Sequence, residues 1–108
     1  MRKYDAIIAD FNKLREIVVS YYDIDDDELL KCNKENVVEA RYCLISIMCD
    51  KYNDFDISKI CGLSKSLVNK IRNRVNSNQM HKCFYIDLKN IKKSYYELNT
   101  NLLRISLK

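Results

Sequence analysis

Ser64, Lys65, Ser66, Asn69 and Lys70 fall within a short stretch and carry groups suited to recognition rather than bond making. Asn69 can offer a donor and an acceptor to an adenine edge. Lys65, Ser66 and Lys70 can meet base edges in a major groove. The Ser64 hydroxyl, together with Lys59, Arg72 and Arg74, suits backbone phosphates, which fix a protein on a duplex without reading its sequence. Catalysis has weaker footing. His81 is the single histidine and stands in a polar break beside Lys82 and Cys83, with no carboxylate close in sequence to orient it. The acidic run Asp25 to Glu28 reads as a solvated helix start, not as paired carboxylates in a cleft. The cysteines, Cys32, Cys43, Cys49, Cys61 and Cys83, are odd in number and lack CxxC spacing. They read as buried or incidental thiols in a reducing cytosol rather than a disulfide framework or zinc site. No catalytic residue, metal, cofactor or small-molecule substrate is expected.

The elements that must hold these side chains follow from the flanking residues. Asp56 to Ile71 reads as a helix-turn-helix, with the whole motif over about 56–75. Two short helices crossing at a sharp turn need a residue that accepts positive φ, and Gly62 supplies it. Ser58 is small enough to sit where the helices approach. Leu63, Val68 and Ile71 anchor the second helix, and Ser64 caps it.

The chain has 108 residues, one Gly and no Pro. Tight-turned sheet folds, P-loops and glycine-rich dinucleotide sites need more residues of those types. The expected class is therefore all-α, a single domain over 1–108 with the motif inside a small helical bundle. Apolar residues at steps of three and four mark a first helix through Ile7, Phe11, Leu14 and Val18. Asp25 with Glu28 resembles a capping arrangement for a short helix containing Leu29 and Leu30. Asn33 can cap a central core helix that ends near Tyr52. Asp54 or Asp56 can cap the next. A long last helix over about 84–106 carries Phe84, Leu88, Ile91, Tyr95, Leu98, Leu102 and Ile105 in an a/d seam. That seam can pack on the domain or pair with a second copy as a homodimer. No stretch has the length and apolarity of a membrane span, and the N-terminal pattern is amphipathic rather than that of a signal peptide, so a cytoplasmic protein without membrane partners is expected.

Charge is divided unevenly. Residues 1–56 hold 8 Lys/Arg and 13 Asp/Glu, a net −5, whereas residues 57–108 hold 11 Lys/Arg and 2 Asp/Glu, a net +9. A basic half beginning at the motif points to nucleic acid as partner.

Val19-Ser-Tyr-Tyr-Asp-Ile-Asp-Asp-Asp-Glu-Leu-Leu30, followed by Val38-Glu-Ala-Arg-Tyr-Cys-Leu-Ile45 and the motif, resembles the C-terminal DNA-binding domain of the bacterial chromosomal replication initiator DnaA. The likeness extends over about residues 14–100. It implies a helical fold, double-stranded DNA as partner, and a role in replication or transcription regulation. It also implies that Lys31 and Lys34 contact phosphates, since the family's basic loop maps to Lys31–Asn36, where Glu35 would repel them, and that Arg41, which matches the family's arginine, either contacts the phosphate backbone or has a structural role. Positions that read Asp-His-Thr-Thr-Val in the family read Ser64-Lys65-Ser66-Leu67-Val68 here, so the family's origin-box target does not carry over. The alternative is a helical protein-interaction or dimerisation module that has lost sequence-specific DNA binding.

Overall fold

The computed structural model describes the backbone of residues 3–107 and the side chains of residues 4–97. Five α-helices form an all-α bundle: α1 (Lys3–Tyr22), α2 (Glu35–Cys49), α3 (Asp54–Cys61), α4 (Lys65–Asn76) and α5 (Lys82–Leu107). No strand occurs among the described residues. No helix among them is long and apolar enough to cross a membrane.

α2 is the central helix. From Cys43 to Met48 every residue is buried, including Ser46. A helix apolar around its whole circumference must be surrounded on all sides, and α1, α3, α4 and α5 all pack against α2. Ile7, Phe11, Leu14 and Val18 close one side, and Val68, Ile71 and Val75 of α4 close another. Phe84, Leu88, Ile91 and Tyr95, the first four residues of the a/d seam, are buried in this same core. That part of the seam is therefore spent within the chain. Leu98, Leu102 and Ile105 lie outside the described side chains.

A polar latch ties three helices together at one end of the bundle. Lys51, just past α2, donates to Asp10 on α1 at 2.9 Å and to the Tyr95 hydroxyl on α5 at 3.1 Å. The Tyr52 hydroxyl donates to the same Asp10 carboxylate. Burial alone would raise the Asp10 carboxyl, but these donors outweigh it and hold it below its ordinary range.

The turns use the residue types that tolerate positive φ. Gly62 has φ 78°, Asp23 φ 53° and Asn78 φ 58°. Three capping expectations require correction. Asp25 precedes only a 3-10 turn, Asp26–Glu28, and makes no side-chain cap bond; Leu29 ends that turn rather than continuing a helix, and is fully buried. Asn33 does not cap α2. The N-cap is Lys34, whose side chain has no acceptor, and the helix ends at Cys49, before Tyr52. Neither Asp54 nor Asp56 caps α3, because Asn53 occupies that position and accepts from the Asp56 amide at 2.8 Å. An aspartate one residue inside the helix has its backbone already helical, so its carboxylate is free to turn elsewhere.

Candidate functional site

The α3–α4 hairpin is fixed by four local devices. Gly62 adopts the left-handed conformation and its amide returns to Ser58 O at 3.0 Å, closing α3. A Cβ at Gly62 would meet nothing within 4 Å, so glycine is required by backbone angle rather than by space. The Ser58 hydroxyl donates to Leu63 O at 2.5 Å across the turn. Ser64 caps α4 by accepting from Leu67 N at 3.1 Å. Val68, Ile71 and Val75 bury one face of α4.

The opposite face is polar and carries no carboxylate. Lys65, Ser66, Lys70, Asn73 and Arg74 are exposed along it. The second half of the helix borders a groove of about 560 Å³ lined by Asn69, Lys70, Asn73, Arg74, Ser77 and Gln79. Each of these side chains can donate hydrogen bonds, and two are cationic. The arrangement can receive an anionic or hydrogen-bonding surface.

Two residues assigned to this face by sequence are engaged inward. Asp54, buried in the first turn of α3, accepts from Arg72 at 2.5 Å and from Asn69 Nδ2 at 3.2 Å. Asn69 Oδ1 in turn accepts from Asn73 Nδ2 at 3.0 Å. This chain spends one donor and one acceptor position of Asn69. Asn73, exposed and one turn further along, keeps its carbonyl oxygen and a second amide hydrogen outside the chain. The sequence places Asn73, with Arg72 and Arg74, further along the groove-facing side without giving it a base-reading role. Its signal was present, since the i, i+4 spacing from Asn69 places both amides on one face.

The other predicted residues divide similarly. Lys31 and Lys34 are exposed in the loop before α2. Lys59 is exposed on α3 with its ammonium 5.2 Å from the Phe55 ring centroid. Arg41 is not available to phosphate. It is 8% exposed, and its guanidinium donates to Leu29 O at 2.9 Å and to Cys32 O at 2.6 Å. Its role is to hold the loop that leads into α2.

The five cysteines are free thiols. Burial pushes the Cys43 thiol up to about 12 and the Cys49 thiol up to about 11, far from the thiolate needed for reactivity. His81 does have a carboxylate neighbour, contrary to the reading from its local sequence. Glu39, from α2, meets its Nε2. Glu35, Glu39 and His81 form a group whose potential metal-ligating atoms all lie within 4.8 Å of one another. Their separation along the chain hid this contact, which exists only because α2 and the α4–α5 connection pack together.

No known family, no curated protein and no solved structure matches this chain. That corrects the labels brought by the initiator resemblance. DNA binding, a helix-turn-helix, DnaA-likeness, replication and transcription regulation have no relative on which to rest, and nothing about function is inherited from that family.

Proposed function

We propose, from the geometry of the hairpin alone, that α3 and α4 act as a helix-turn-helix unit that binds double-stranded DNA with α4 along the major groove. The observation that carries this reading is the exposed face of α4. It is rigidly capped, free of carboxylates and lined by Lys65, Ser66, Lys70, Asn73 and Arg74. A major groove about 12 Å wide admits one helix, and such side chains match base edges and phosphates there. Asn73 takes the adenine-reading role, with Lys65, Ser66 and Lys70 beside it. Arg74, Lys59 and Ser64 face phosphates. Lys31 and Lys34 extend the basic surface from the loop before α2; the adjoining Glu35 borders a cavity that Arg74 also lines. Arg72 is partly neutralised by Asp54 and contributes less.

The test is fluorescence anisotropy on a labelled duplex pool of mixed sequence, at about 50 and 200 mM salt. The expected result is binding that weakens steeply with salt. Lys59→Ala with Arg74→Ala should flatten the log–log salt dependence by about one unit for each lost phosphate contact. Absence of binding to any duplex at the lower salt, or binding indifferent to these substitutions, overturns the proposal.

A further inference from the structure

We infer that Glu35, Glu39 and His81 form a binding site for a divalent transition-metal ion of the zinc class. Glu35 and Glu39 lie one helical turn apart at the start of α2, which directs both carboxylates to one side of the helix. His81 arrives from the connection between α4 and α5. All three offer ligand atoms within 4.8 Å of one another. Tetrahedral coordination with bonds of about 2.0–2.2 Å needs ligand atoms roughly 3.3–3.6 Å apart, so an ion enters by parting the Glu39–His81 contact while the exposed Glu35 turns toward it. One imidazole with two carboxylates suits zinc-like ions better than magnesium or calcium, which favour all-oxygen shells. Three protein ligands leave a fourth position for water or an external group. The site borders a cavity of about 420 Å³ whose lining includes Tyr42 and Arg74, and the Arg74 guanidinium is placed over the Tyr42 ring, 6.0 Å from its centroid.

The tautomer of the neutral His81 ring follows from the contact of its other nitrogen. Nδ1 accepts from the Phe84 amide at 3.2 Å, which places the proton of the neutral ring on Nε2, facing Glu39. A metal ion at Nε2 moves that proton to Nδ1 and ends the Nδ1 contact. The Phe84 amide is not orphaned, because it also donates to His81 O at 3.1 Å. The new Nδ1 proton would face that amide, itself a donor, so coordination requires the ring to turn away from Phe84 N. The bound ion would join the start of α2 to the connection after α4, two segments 42 residues apart in sequence.

The test titrates the metal-free full-length chain, without DNA, with Zn²⁺ by calorimetry. The His81 ring is followed by nitrogen NMR, and far-UV circular dichroism checks that each variant is folded. Saturation at one ion per chain is expected, together with a shift of the ring proton from Nε2 to Nδ1. His81→Ala and Glu39→Gln should weaken binding by about tenfold or more, while Cys83→Ser should leave it unchanged. Failure to saturate, an unchanged tautomer, binding that survives His81→Ala, or binding abolished by Cys83→Ser overturns the inference. Because no nucleic acid takes part, the result is independent of the DNA-binding proposal.

Discussion

Arginines enter the loop that leads into α2 and the α3–α4 hairpin in opposite ways. In the first region Arg41 points inward and satisfies the carbonyls of Leu29 and Cys32. In the second, Arg74 is exposed on α4, within a hairpin whose helix ends are closed by uncharged groups: Asn53 and the left-handed Gly62 on α3, and Ser64 on α4. The difference lies in how each region meets its backbone hydrogen-bonding needs. Residues 29–32 leave a 3-10 turn without continuing a helix, so their carbonyls need an outside donor, and a guanidinium with several N–H groups supplies two bonds at once. The hairpin satisfies its own turns locally, through Asn53, Ser58, Gly62 and Ser64, so none of its turns calls for a guanidinium. Arg72 is intermediate, held by the buried Asp54 at the crossing of α3 and α4.

The largest expected effect from breaking this contrast is on stability at Arg41. Arg41→Met keeps the apolar stem but leaves two carbonyls without their donor, and should destabilise the chain by about 2–4 kcal/mol in urea unfolding. Next comes Gly62→Ala. With nothing near the new methyl group, its cost is the left-handed backbone alone, about 1–2 kcal/mol by the same measurement. Ser64→Ala removes the α4 cap and should cost about 1 kcal/mol. The smallest effect is one of charge. Asp54→Asn frees Arg72 from its ion pair, and the salt dependence of duplex binding should steepen by about one further phosphate contact. An unchanged salt dependence would mean that Arg72 does not reach the DNA even when released.

The sequence made the hairpin legible because its devices are local. A lone glycine at the turn, a serine before the next apolar run and a hydrophobic stripe each act within a few residues, and each is found where the spacing places it. Asp23 and Asn78 likewise take the positive-φ positions that a chain short of glycine must assign to Asp and Asn. The caps expected at Asp25 and Asn33 are absent, and the carbonyls of Leu29 and Cys32 between them are met instead by Arg41, from the following helix and across a loop. The inward use of Asn69 and the contact of Glu39 with His81 were likewise illegible. Both depend on which helices cross, and residue types along one segment do not specify that. The first part of the α5 seam shows the limit of periodicity: a heptad pattern marks a buried face, but here Phe84, Leu88, Ile91 and Tyr95 bury it within the chain rather than against a second copy.

The central claim is that the outward face of α4 is the surface that meets DNA. The most direct measurement is amide chemical-shift mapping of the isotope-labelled chain as a mixed-sequence duplex is added. The account predicts shifts concentrated on α4 from Lys65 to Arg74 and in the loop bearing Lys31 and Lys34, with the exposed side of α1 around Ile8 unaffected. Shifts centred on α1 or α5, or none at low salt, would contradict it.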